Sequence, residues 1–135
     1  MATPVSDIEG VGPAMAEKLK TVDIKTVEQL LEKCGSAKGR KDISAETGID
    51  AKKLLLFANL ADLCRINGVG KQFAELLQAS GVDTVKELRH RKAENLHAKL
   101  VEVNTAKKLA KTVPAVSRLE TFIEEAKTME PMVTH

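Results

Sequence analysis

Apolar residues recur at spacings of three and four along most of this chain, and nowhere do they alternate with the period of two that a half-buried strand requires. The pattern predicts an all-α fold. Ala14, Met15, Ala16 and Leu19, separated by Lys and Glu, favour a helix that Pro13 opens, because a residue without an N–H suits the first helical position. Thr26 and Gln29 have the spacing of a capping box, as do Thr84 and Glu87, and each pair predicts the start of a short helix. Gly35 to Gly39 reads as a loop of small residues, and Arg40 to Thr47 as a helix stopped by Gly48. Asp50 is placed to cap a helix from Ala51 to about Cys64. From Leu54 to Leu63 that helix is apolar nearly all round, which predicts a buried central helix and not a helix that reads base edges. Gly81 ends the helix that follows Gly70, and Pro114 breaks another. Leu119, Phe122, Ile123 and Ala126 share one face of a last helix, Val116 to Met129. The expected core includes Leu54, Leu55, Phe57, Leu60, Leu63, Leu77, Leu88 and Phe122, and residues 131–135 are expected to form a frayed tail.

The pattern repeats. Ile8-Glu9-Gly10-Val11-Gly12 returns as Ile66-Asn67-Gly68-Val69-Gly70, an offset of 66 − 8 = 58. At the same offset Leu19 falls on Leu77, Ile24 on Val82, Thr26 on Thr84, Val27 on Val85 and Leu30 on Leu88. A second echo, Ala51-Lys52-Lys53-Leu54 in Ala106-Lys107-Lys108-Leu109, has a shift of 107 − 52 = 55. The chain therefore divides into a first half, 1–65, with a helical insert, a second half, 66–130, and the tail. In each half the paired glycines permit a tight turn between helices. Each half then reads as hairpin, helix, turn, helix, and the turn before the second helix leaves several backbone N–H groups pointing outward at a positive helix end, an arrangement suited to a phosphate.

Composition narrows the chemistry. Of 135 residues only Phe57, Phe73 and Phe122 are aromatic, so recognition by stacking bases on rings is not expected. A net charge of +2 implies no nucleic acid by itself, and only local clustering could do so. Three basic clusters occur, Lys38/Arg40/Lys41, Arg89/His90/Arg91/Lys92 and Lys107/Lys108/Lys111, each diluted by an acidic neighbour, as on a solvated face. No apolar run is long enough for a membrane span, and the first residues lack the features of a signal peptide, so a cytoplasmic location is expected, with Cys34 and Cys64 reduced. The two cysteines are too few and too far apart in sequence for a zinc knuckle, and His90 and His97, seven residues apart, read as ordinary surface or boundary residues and not ligands. No nucleophile elbow, HExxH or Gly-Lys-Ser/Thr phosphate loop is present. The expected protein is not an enzyme and needs no metal or cofactor.

The units at Gly10-Val11-Gly12 and Gly68-Val69-Gly70 resemble the helix-hairpin-helix motif, and the pair resembles its tandem (SAM-like) domain. The whole chain, through Arg65-Ile66, Asn95 to Leu100 and Phe122 to Lys127, resembles a bacterial domain-of-unknown-function family built on that motif. The resemblance implies a compact domain of duplicated units whose hairpin amides hold nucleic-acid phosphates without regard to sequence. The residues that match are Gly10, Val11, Gly12, Gly68, Val69 and Gly70, with Lys18, Lys71, Arg89, Arg91 and Lys92 as neighbouring cations. Ala14-Met15 stand where such hairpins usually place a cation, and Glu9 lies inside the first turn, so the second hairpin is the stronger candidate. The expected partner is double-stranded DNA or another nucleic acid. The alternative is a protein-interaction or homodimerisation module.

Overall fold

The structure, a computed structural model, describes residues 3–134. Among these are eight α-helices and a 3-10 turn at Val5–Asp7, and no strand; Pro4 and Thr26 form an isolated bridge. The helices are α1 (Pro13–Lys20), α2 (Val27–Cys34), α3 (Ala37–Thr47), α4 (Ala51–Leu63), α5 (Lys71–Ala79), α6 (Val85–Leu88), α7 (Ala93–Lys107) and α8 (Val116–Lys127). The chain divides into two compact units: one runs to Asp62 and takes back the segment from Met132, and the other is Leu63–Pro131.

In the first unit, Gly12 is the N-cap of α1 and Pro13 its first residue. Beyond α1 the chain turns through Asp23, at φ 63°, and Ile24 N–H returns to the Leu19 carbonyl at 3.0 Å. The Thr26 capping box is complete: Thr26 Oγ1 accepts from Gln29 N at 3.1 Å, and Gln29 Oε1 accepts from Thr26 N at 3.2 Å. Helix α3 begins three residues earlier than the sequence suggests, at Ala37, because Ser36 caps it by accepting from Gly39 N at 3.0 Å. Small residues that read as a loop are therefore its first turn. Gly48 ends it at φ 78°, and Asp50 Oδ1 caps the next helix through Lys52 N at 2.8 Å. In α4 Leu54, Phe57, Leu60 and Leu63 are buried as expected, whereas Leu55 is only half-buried. Successive helical residues differ in direction by about 100°, so Leu54 and Leu55 cannot both point into one core.

The second unit repeats much of this. Gly70 is the N-cap of α5. After α5 the left-handed residue is Gly81, at φ 93°, and Val82 N–H returns to the Leu77 carbonyl at 2.9 Å. Thr84 Oγ1 accepts from Glu87 N at 3.4 Å, but the Glu87 carboxylate is engaged by Arg91, so this cap lacks the reciprocity seen at Thr26. Helix α7 stops at Lys107, well before Pro114, with Lys108 left-handed at φ 53°. The Asn104 side chain holds that turn by accepting from Ala110 N at 2.9 Å and donating to Ala110 O at 3.0 Å. Helix α8 packs on α6 and α7, and α5 packs on α7.

The echo at a shift of 55 has no structural counterpart: Ala51 to Leu54 open α4, whereas Ala106 and Lys107 close α7. The buried residues that correspond to Leu54, Phe57 and Ala61 are Leu119, Phe122 and Ala126, at 119 − 54 = 65. Identical side chains recur there at matched depth, so α8 stands in its unit as α4 does in the other. The C-terminal residues also depart from expectation. Val133 is buried and Thr134 N–H donates to the Gly35 carbonyl at 2.8 Å, which fastens residues expected to fray.

Candidate nucleic-acid interface

The two Gly-Val-Gly turns have the same geometry. Val11 N–H donates to the Ile8 carbonyl and Val69 N–H to the Ile66 carbonyl, each at 3.1 Å. Gly10 and Gly68, third residues of their turns, both have φ 92°, which makes each a type II turn that demands glycine there. Val11 and Val69 are buried. Their side chains anchor the turns and their N–H groups close them, so neither valine is a phosphate donor, contrary to expectation. Glycine is needed for a second reason: a Cβ on Gly10 would meet the Phe57 ring at 3.2 Å, and one on Gly68 the Phe122 ring at 3.3 Å.

What the turns present outward is the following helix end. Gly12 and Gly70 cap α1 and α5 without a side chain. The first helical bonds run from Ala16 N to Gly12 O and from Ala74 N to Gly70 O, each at 2.9 Å. The N–H groups of Ala14 and Met15, and of Gln72 and Phe73, therefore lie ahead of any carbonyl one turn back. Pro13 contributes no N–H to the first end, while exposed Lys71 adds a cation to the second. Lys18 is exposed on α1, and Glu17 is exposed beside it.

The second turn has a neighbour that sequence reasoning missed. Arg118, on α8, lies over the rings of Phe73 and Phe122, 5.8 and 5.6 Å from their centroids, and a Cβ on Gly68 would meet its Nη2 at 2.9 Å. Cation–π attraction to the two rings favours a guanidinium position beside the turn while leaving the residue exposed. The rings of Phe73 and Phe122 offered a signal in the sequence, but nothing there paired them with an arginine distant from both. The same face of α8 also carries Glu125, whose Oε1 accepts from Asn67 N at 3.3 Å. One amide of the second turn is thus already engaged by a carboxylate.

Two members of the expected cluster, Arg89 and Arg91, have their partners elsewhere than at this turn. Arg91 donates to Glu87 Oε1 at 3.2 Å through Nε and to the Gly81 carbonyl at 3.1 Å through Nη2. Arg91 also lines an open groove with Glu120, Ile123, Glu124 and Lys127 of α8. At about 100° per residue, these α8 positions centre roughly 180° around the helix from Arg118, Phe122 and Glu125. Helix α8 therefore separates Arg91 from the turn. Arg89 donates to the Met129 carbonyl at 3.0 Å and is half-buried. Both arginines fasten helix ends, and Lys92, the exposed N-cap of α7, is the remaining surface cation of the cluster. Among the described residues no group of three or more His, Cys, Asp or Glu could hold a metal ion, and no helix is long and apolar enough to cross a membrane.

The chain is a helical domain with two matched Gly-Val-Gly turns, and it belongs to a family described as a domain of unknown function (DUF4332), whose model matches residues 9–129. No curated protein and no solved structure matches it.

Proposed function

We propose that the chain is a non-enzymatic binding module of two helix-hairpin-helix units that holds the sugar–phosphate backbone of nucleic acid, double-stranded DNA foremost, without regard to sequence. The observation that carries this reading is the type II turn at Gly68 feeding the side-chain-free start of α5, with Lys71 and the ring-held Arg118 beside it. Amides at a positive helix end and fixed cations are what a phosphate requires. Such contacts carry no sequence information. The first turn is the weaker partner, since Pro13 removes an amide there and Glu9 and Glu17 are exposed nearby. Association with protein, or with a second copy, is favoured by one observation: Glu125 already accepts from Asn67 N and so weakens the second turn as an anion site.

Fluorescence anisotropy of labelled mixed-sequence duplex and single strands, titrated with protein at several salt concentrations, distinguishes the two. The proposal expects saturable binding, equal across sequences, with log K falling by about 0.9 per phosphate contacted for each decade of salt. Lys71→Glu weakens it for every duplex alike, and Lys18→Glu weakens it less. No binding at low salt rejects the nucleic-acid reading and leaves protein association.

A further inference from the structure

We propose that the corner formed by Gly35 and Arg40 in the first unit is a peptide-binding site, filled here by the chain's own residues 132–134 and able to take an equivalent peptide from outside. The proposal is independent of the nucleic-acid reading. Arg40 is 5% exposed, a depth at which a guanidinium must have its donors satisfied. Its Nη1 donates to the carbonyls of Cys34 and Gly35 at 3.0 and 2.9 Å, and its Nη2 to the carbonyl of Thr134 at 2.5 Å. Two of these acceptors belong to the end of α2 and are always at hand. The third is supplied by a segment of no regular secondary structure some ninety residues further along the chain.

Three features make the corner a recognition site for that segment. Gly35 O accepts from Thr134 N at 2.8 Å while Arg40 binds the Thr134 carbonyl, so both polar groups of one peptide residue are read. The preceding residue, Val133, is 7% exposed and supplies the apolar anchor. Gly35 lets the segment come close, since a Cβ there would collide with the carbonyls of Met132 and Leu31. The ligand chemistry follows from this: a β-branched apolar side chain, then a residue whose N–H and C=O are both available. Backbone pairing supplies affinity and the buried side chain supplies choice, as in other sites that take up non-helical peptides.

The test uses the full chain carrying Val133→Asp, which buries a charge at the anchor and so releases the chain's own segment. A fluorescent peptide of residues 130–134, capped at both ends, is titrated against the Val133→Asp protein, the wild type, and a Val133→Asp/Arg40→Met double variant. Far-ultraviolet circular dichroism first establishes that each keeps its helical content. The expected result is saturable binding to Val133→Asp, much weaker binding to wild type, where the bound segment competes, and a loss of roughly tenfold or more in the double variant, as for removal of a hydrogen bond to a charged group. Hydrogen exchange of the wild type supplies the second measurement: Thr134 N–H is protected, and Arg40→Met removes that protection. Absence of peptide binding to a helical Val133→Asp protein overturns the proposal, as does equal binding by the double variant. If Val133→Asp is not helical, Thr134 exchange as fast in wild type as in Arg40→Met overturns it alone.

Discussion

Gly68 lies against the ring of Phe122 as Gly10 lies against that of Phe57, so close that an added Cβ would stand 3.3 and 3.2 Å from the respective Cε1 atoms. Each glycine also has φ 92°. Replacing either by Ala combines a left-handed backbone with a displaced buried ring. Each substitution is expected to cost about 1–3 kcal/mol, measured by urea denaturation. Gly12→Ala, with φ −83° and open space at the Cβ position, serves as the control: it loses only the N-cap preference for glycine over alanine and should cost less. Equal losses at Gly10 and Gly12 would contradict the type II turn.

Asp23 and Lys108 have left-handed backbones, at φ 63° and 53°, while Gly81, at the position 58 residues after Asp23, meets the same demand with glycine at φ 93°. Asp23→Gly and Lys108→Gly should therefore stabilise the protein by about 0.5–1 kcal/mol each, because glycine avoids the Cβ clash of that conformation. The larger gain is expected at Lys108, since Asp tolerates the left-handed region better than Lys does. Thermal melts of the two variants check this, and a lowered midpoint for both would count against it.

Phe57 is 1% exposed and Phe122 2% exposed at matching positions of α4 and α8. Phe57→Ala is expected to cost about 3–5 kcal/mol through lost transfer energy and the cavity left behind. Phe122→Ala should match it and also release Arg118, whose guanidinium lies over that ring. A milder Phe122→Leu keeps the core filled while removing half of the stacking. If the proposed nucleic-acid site is correct, Phe122→Leu lowers DNA affinity while Phe57→Leu does not.

Arg118 and Arg91 separate binding from stability. Arg118→Glu should weaken duplex binding at least as much as Lys71→Glu, with a shallower salt dependence as one phosphate contact is lost. Arg91→Ala removes its bonds to Glu87 and the Gly81 carbonyl, so it should lower the melting temperature and leave affinity nearly unchanged. Binding that depends on Arg91 and not on Arg118 would place the interface on the other face of α8.

Burial raises the Cys34 thiol from 9.0 to about 11, against a smaller opposing influence of Arg40 and Lys33. Between these values the unfolded chain loses this proton while the native protein keeps it. The unfolded state then binds fewer protons, so stability falls as pH rises from about 9 toward 11 and is unaffected below that window. Cys34→Ala should remove this share of the alkaline loss, seen by comparing denaturation of the two proteins across that range. At neutral pH, Cys34 in the native protein should resist thiol reagents.

The all-helical class, the turn at Gly68, the cap at Thr26 and the stop at Gly48 were legible in the residues themselves. These features are local: positive φ demands glycine, a hydroxyl three residues ahead of a free amide makes a cap, and helical period puts Leu119 and Phe122 on one face. The tertiary structure alone decided which faces meet. Arg91 and Arg118 look alike in sequence, yet one is tied to Glu87 and the Gly81 carbonyl while the other lies over two rings beside the Gly68 turn. Arg40 likewise reads as a member of a surface cluster but is buried against three carbonyls. Every residue has a carbonyl, so such acceptors leave no mark in a sequence. Only the path of the chain through space brings a particular one to a particular guanidinium.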